Sequence, residues 1–414
     1  MKTLLKYGKS NIEVEIPDSK FAGIYLPKEK KGLDGVYISV REAINKPLKS
    51  KILSEIVSVG DKVSIIVDDA TRPIPTSQIL HPLVKELNKC EVNDSDITVI
   101  ISNGTHRKST ESERNQILED LKDRIKIIDH NADDWENLVY IGTTSFDNEV
   151  FVNKTAYESD IRIIVCDVDF HQFCGYGGGA KSILPGISDK NSTEKNHSMM
   201  THALASTGII KGNPTRKEID EVGKLFRINF QIAVILNGEK EIVDVFAGDM
   251  NETFMKGVDV CDQMYKVSVP ERVDAVLVSC GGYPFDIDLY QTQKSIENAI
   301  KIVKNRGKVI AFAECKNGYG SDLFTNWMRD VHSVDEIFKK IGEKFTIGGH
   351  KAFLFARQIK WADIFLYSEL DRENVEDLFL NPIKSIEEIK SLLSNTENVA
   401  VLPQGNLTLP VLNQ

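Results

Sequence analysis

Short apolar runs recur along the 414-residue chain, separated by stretches in which apolar positions return at helical spacing. The runs are VSIIVDD (63–69), DITVIIS (96–102), IRIIVCDVD (161–169), FQIAVILN (230–237), VDAVLVSCGG (273–282) and KVIAFAEC (308–315). They are rich in β-branched residues and apolar on both faces, the pattern of strands covered on both sides in a parallel sheet. TSQILHPLVKELNKC (76–90) and LYQTQKSIENAIKIVKN (289–305) read as the helices that follow two of them. Strands alternating with helices predict an α/β fold: two domains, each with a mainly parallel or mixed sheet flanked by helices. Residues 1–268 read as the N-terminal domain and 269–399 as a C-terminal α/β domain. DQMYKVSVPERVD (262–274), with Pro270 and its charges, reads as the linker. NVAVLPQGNLTLPVLNQ (398–414) reads as a strand and an extended tail, with 400–414 returning to the first domain.

Ligands of open parallel sheets bind at the carboxyl ends of the strands. The unusual loops of this chain fall there. DDATRPIP follows the strand at 63, SNGTHR the strand at 97, DFHQFCGYGGGAK the strand at 161, and CGGYPFDIDLYQ the strand at 273. Polar, glycine-rich loops repeated after buried strands predict a shared pocket.

Charge and composition narrow the partners. Lys and Arg number 51 against 61 Asp and Glu, a formal charge of −10, which argues against nucleic acid because phosphate contacts need a basic footprint. No apolar run approaches the length of a membrane span, and MKTLLKYGKSNIEVEIP turns polar too early for a signal peptide, so the expectation is a cytoplasmic protein. Cys90, Cys166, Cys174, Cys261, Cys280 and Cys315 form no CxxC pair and read as buried free thiols.

Candidate chemistry sits in the loops. His106 and His171 follow predicted buried strands, and two histidines facing one pocket can serve as acid and base on opposite faces of a substrate. Lys181 follows Gly177, Gly178, Gly179 and Ala180, a stretch whose freedom suits wrapping a ligand with backbone N–H groups. The spacing is neither a P-loop nor a dinucleotide fingerprint. Lys181 reads either as a surface lysine on a tight turn or as an anchor, covalent through its amine. Arg72 in DDATRP reads either as a clamp for a carboxylate or phosphate, or as the partner of Asp68 and Asp69. Asp288 reads as the N-cap of a helix whose first turns carry Tyr290, Gln291 and Lys294, a lysine that opposes the dipole unless an anion binds nearby. His197, beside two methionines, suits a soft metal but is a poor metal site alone.

Taken together, DDATRP (68–73), GTHR (104–107), FHQFCGYGGGAKSILPG (170–186), Asn196–His197 and YQTQK (290–294) resemble the nickel-dependent lactate racemase family. The pieces occur in that family's order across nearly the whole chain. The resemblance implies catalysis and cofactor binding in the N-terminal domain, with the active site in the cleft between the domains. It implies a nickel-pincer nucleotide (pyridinium-3-thioamide-5-thiocarboxylic acid mononucleotide) attached to Lys181, with His197 as the protein ligand to nickel. Asp69, Gly177, Gly178 and Gly179 would contact the cofactor, and Asp69 would alternatively orient Arg72. His106 and His171 would exchange the hydroxyl proton of opposite enantiomers of a 2-hydroxy acid during proton-coupled hydride transfer. Arg72, Gln291 and Lys294 would hold the carboxylate, Tyr290 would line the pocket, and Trp361 would close it. Lactate, malate, aryl-hydroxy acids and aldonates are the substrate alternatives, and cofactor-synthesis proteins would be the maturation partners. The rival readings are a nicotinamide-dependent dehydrogenase, which needs a fingerprint not found here, and a non-catalytic cofactor-binding protein.

Overall fold

A computed structural model describes residues 1–413 apart from Pro73, Lys344 and Ile347. The chain forms two compact units, Glu29–Gln263 and Met1–Lys28 together with Met264–Gln414.

The unit formed by Glu29–Gln263 is built on a six-stranded sheet. Its spatial order is Ile242–Gly248, Phe230–Leu236, Ile161–Asp167, Val63–Asp68, Ile97–Ser102 and Lys126–Asp129. Neighbours run parallel except Ile242–Gly248, which is antiparallel to Phe230–Leu236. The central strands are buried along nearly their whole length, as their continuous apolar runs predict. Helix Thr76–Lys89 buries Ile79, Leu80, Leu83, Val84 and Leu87 on one stripe, in the same core as Ile65, Val67, Val99 and Val165. Chain order runs outward in one direction from Val63–Asp68 and in the other from Ile161–Asp167. The sheet therefore reverses between these two strands, the place where doubly wound sheets open a crevice.

The other unit has its own six-stranded, all-parallel sheet: Asn381–Ile383, Asp363–Tyr367, Val303–Phe312, Val273–Ser279, Val399–Leu402 and Phe21–Ile24. A hairpin of Lys2–Tyr7 and Ser10–Glu15 adds Leu5 and Val14 to its core.

The fold class matches the expectation, and the domain assignment needs three corrections. The first 28 residues belong with the C-terminal unit, because Phe21–Ile24 pairs with Val399–Leu402. The segment 400–414 does not return to the N-terminal domain: Leu409–Leu412 pairs with Lys266–Val269 in its own unit. The stretch read as a linker is regular structure, the end of helix Met250–Tyr265 followed by strand Lys266–Val269. The helix read over 289–305 ends at Ile300, and its last apolar residue, Val303, opens the strand Val303–Phe312. All six cysteines are free thiols, five of them buried.

Candidate active site

The reversal point of the first sheet places two strand ends side by side. Asp68, Asp69 and Arg72 leave one; Asp167, Asp169 and His171 leave the other. Nη1 of Arg72 donates to Oδ2 of Asp169 at 2.6 Å, tying the two ends together. The side-chain bond of Arg72 thus goes to Asp169 and not to Asp68 or Asp69, and it engages only one end of the guanidinium. Its partner comes from the adjacent strand, and Asp169 raises the guanidinium further above its ordinary value. Beneath this pair the backbone N–H of Asp167 donates to Oδ2 of Asp68. Burial pushes both carboxyls up, Asp167 to about 8 and Asp68 to about 6, with Arg72 pulling each down.

His106 comes from the loop after Ile97–Ser102, the next strand outward. Its N–H bonds the carbonyl of Asn103 at 2.9 Å in a tight turn. That turn brings Nδ1 of His106 to 2.7 Å from Oδ2 of Asp69. The other carboxylate oxygen accepts from the backbone N–H of Thr71 at 3.2 Å and from its hydroxyl at 2.5 Å. Burial works to raise the Asp69 carboxyl, but the bonds from His106 and Thr71 outweigh it and hold the group below its ordinary value. Sequence reading assigned Asp69 to the cofactor or to Arg72. Its recorded partners are His106 and Thr71, and DDAT with GTHR contains no local signal for that pairing.

The glycines of GYGGGAK, expected to let a ligand approach the backbone, also answer to close contacts within the protein. A Cβ on Gly177 would lie 2.2 Å from Oδ1 of Asp169, and one on Gly178 would lie 2.3 Å from the carbonyl oxygen of Asp167. Gly178 also sits at φ +78°, which disfavours any side chain. At Gly179 the nearest atoms are Nη2 of Arg216 and the ring of Phe254, both at 3.2 Å. The spaces are filled by the protein itself. Arg216, buried under the loop, donates to the Gly178 carbonyl at 3.2 Å and stacks on Phe254 at 3.8 Å. The glycines let the loop settle onto this support and let Asp169 reach Arg72.

The loop delivers Lys181 on a short 3-10 turn, Gly179–Ser182. Its amine is half-buried and lies below its ordinary pKa, first through burial and then through the nearby Arg72 charge. Ser182 beside it is buried, and among the described residues its hydroxyl has no hydrogen-bond partner. His171 accepts the backbone N–H of Cys174 at Nδ1, 3.2 Å away. Phe173 packs edge-to-face against both His171 and His197, with centroids 4.6 and 4.9 Å apart. His197 lies in the last turn of helix Lys190–Ser198, capped by Asp189. Negative partial charge at a helix C-terminus favours a cation there. His106, Asp69, Arg72, Lys181, His171 and His197 thus all belong to the unit Glu29–Gln263, in loops at the carboxyl ends of its strands and the helix that follows.

In the other unit, Asp288 caps helix Leu289–Ile300 by accepting the Gln291 N–H at 2.8 Å, as the sequence predicts. Tyr290, Gln291 and Lys294 follow in its first turns. Lys351, which sequence reading missed, is buried with its ammonium 4.7 Å from the Tyr290 ring centroid and bonded to Gln293 at 2.9 Å. Burial, then Lys294, drives its amine well down. Trp361 is not part of this cluster. Its indole N–H bonds the carbonyl of Val303, at the amino end of the sheet, opposite the ends that carry the loops.

Among the described residues no helix is long and apolar enough to cross a membrane. Residues 7–208 match the family model of the lactate racemase N-terminal domain, and residues 269–408 that of the lactate racemase C-terminal domain. The chain is 29% identical over 417 aligned residues to the lactate racemase of Thermoanaerobacterium thermosaccharolyticum, covering 97% of each. It is 28% identical to that of Lactiplantibacillus plantarum, again with 97% of each covered. The solved structure of the Thermoanaerobacterium thermosaccharolyticum lactate racemase apoprotein superposes with a TM-score of 0.92 at 27% identity, over 100% of both chains. A Thermotoga maritima protein of 17% identity shares the fold, with a TM-score of 0.69 over 93% of this chain and 100% of its own. Strand-end loops, their motifs and both domain matches agree: the chain belongs to the lactate racemase family, a family of isomerases.

Proposed function

We propose that this protein interconverts the enantiomers of lactate or a similar short 2-hydroxy acid, and that it does so with a nickel-pincer nucleotide held on Lys181. The observation that carries this reading is the gathering of His106, His171 and Lys181 in loops around one sheet reversal, with His197 joined to His171 through Phe173. The residues fit such a group. Lys181 has an amine whose lowered pKa favours the nucleophilic form, and the orphaned hydroxyl of Ser182 lies next to it in the chain. His197 stands at a helix C-terminus, where a cation is favoured. Among the described residues no cluster of three or more His, Cys, Asp or Glu side chains is arranged to hold a metal. A nickel ion on His197 would therefore take its other ligands from the cofactor.

When bound, that cofactor supplies a reversible acceptor for the hydride on the substrate's C2. The protein's own residues do the rest. His106 and His171 exchange the hydroxyl proton, each from its own loop, as mirror-image substrates require. Gln291 and Lys294 hold the carboxylate, with the N–H groups of Arg72 not engaged by Asp169 as a further donor set. Tyr290 supplies an apolar wall. The dehydrogenase alternative loses ground because the first strand–helix turn of the reversed sheet carries DDATRP in place of a glycine fingerprint. The same reading makes cofactor-synthesis proteins the maturation partners and the cytoplasm the place of action.

The test is expression with the cofactor-synthesis proteins, followed by intact mass, nickel content and C2–deuterium exchange on lactate. A mass increment on the Lys181 peptide, about one nickel per chain and exchange at C2 are expected. Loaded protein with no exchange on any short 2-hydroxy acid would overturn the reading.

A further inference from the structure

We infer that the two active-site histidines are set in opposite tautomers before substrate arrives: His106 presents a lone pair at Nε2, His171 presents an N–H there, and Asp69 is the positioning residue that sets the first. The inference deepens the racemase reading and, for its catalytic consequence, rests on it.

A neutral imidazole carries one N–H, and which nitrogen has it follows from the hydrogen bond the ring makes. Oδ2 of Asp69 lies 2.7 Å from Nδ1 of His106. A carboxylate only accepts, so Nδ1 of His106 carries the proton and Nε2 is left as the acceptor. The Asp69 carboxylate cannot easily turn away, because Thr71 holds its other oxygen with two donors. At His171 the partner has the opposite character. The backbone N–H of Cys174 only donates, and it donates to Nδ1. Nδ1 of His171 therefore keeps its lone pair and the proton sits on Nε2. Phe173, edge-to-face on the His171 ring, restrains the rotation that would exchange the nitrogens.

The two histidines are thus unequal at rest. A hydroxyl presented to His106 meets a ready proton acceptor backed by a carboxylate. A hydroxyl presented to His171 meets a hydrogen-bond donor. For His171 to accept a proton at Nε2, its own proton must first move to Nδ1, which breaks the bond from Cys174. For a racemase the equilibrium constant is one, so kcat/KM must be equal for the two enantiomers. The inequality then appears in kcat and KM taken separately.

The direct test is two-bond 1H–15N correlation on the full-length protein labelled with 15N-histidine, recorded at about pH 8 where ordinary histidines are neutral. The His106→Gln and His171→Gln variants assign the signals. We expect a protonated Nδ1 and bare Nε2 at His106, and the reverse at His171. In Asp69→Asn the side-chain amide donates to Nδ1 and reverses the His106 pattern while leaving that of His171 unchanged. The same reversal in a serine protease costs about 10⁴-fold in turnover, and a loss of about 10³- to 10⁴-fold per bound nickel is expected here. A wild-type spectrum with His106 protonated at Nε2, or both histidines in one tautomer, overturns the inference even if Asp69→Asn fails to fold. Wild-type turnover in folded, loaded Asp69→Asn overturns the positioning role. Absence of C2 exchange in the loaded wild type counts instead against the racemase reading, so the two failures are told apart.

Discussion

Arg72 and Asp169, 97 residues apart in sequence, meet at 2.6 Å across the reversal of the first sheet, with no side chain at Gly177 to block the contact. Their pair closes the two loops that carry His106's partner Asp69 on one side and His171 on the other. It also places one guanidinium among Asp68, Asp69, Asp167 and Asp169. The site is therefore built on a compensated cluster of charges, and each of its parts can be perturbed separately.

Gly177 and Gly178 should respond differently to alanine. A Cβ on Gly177 meets a side-chain oxygen, which can move if the half-exposed ion pair with Arg72 loosens, a cost of about 1 kcal/mol. A Cβ on Gly178 meets a backbone carbonyl at 2.3 Å from a left-handed φ, and the strand end must shift. Urea unfolding should show Gly178→Ala as the larger loss, about 3 kcal/mol. Equal costs would mean the loop is not seated as described.

The acid cluster should make stability fall with rising pH. Burial raises the carboxyls of Asp68 and Asp167 to about 6 and about 8. An acid with a higher pKa folded than unfolded binds more protons in the folded chain between the two values, so unfolding becomes easier as pH rises through that window. From the unfolded aspartate value of about 4 upward, wild type should lose Tm relative to Asp167→Asn until about pH 8. Thermal melts of both proteins at pH 5 and pH 8.5 measure the difference. A wild type that gains on the variant over this range would reverse the sign and refute the argument.

Lys181→Arg keeps the charge and removes the nucleophilic amine. In protein made with the cofactor-synthesis proteins, the mass increment should vanish. Racemisation should drop by at least about 10³-fold, the scale seen when a covalent catalytic group is lost. An intact increment would place the attachment elsewhere.

Lys294→Met should raise KM for a 2-hydroxy acid by about 10- to 100-fold, the worth of one charge-assisted bond of about 1.5–3 kcal/mol. Trp361→Phe is the control in the same unit. It loses one hydrogen bond to the Val303 carbonyl at the opposite sheet edge, so Tm should fall slightly while KM stays unchanged. Steady-state kinetics on both variants decide whether Trp361 is remote from the substrate.

The amino-acid sequence by itself determined the elements and the loops that carry the candidate residues. Continuous β-branched runs such as Val63–Asp68 and Ile161–Asp167 have no stable place except a sheet covered on both faces. Asp288 three residues before Gln291 specifies its own cap, because that bond closes within one turn. Such features depend on neighbours close in sequence. Strand order does not, and it decided the rest. It put Asp69 beside His106 and Arg72 beside Asp169, and it filled the space over Gly177–Gly179 with protein atoms. It also drew the first 28 residues and the C-terminal strand into one unit. Parallel strands leave their partners to be chosen by packing across long stretches of chain, and a local pattern carries no record of that choice. The candidate residues were legible one by one; which of them hold one another was settled only when the two strand ends met.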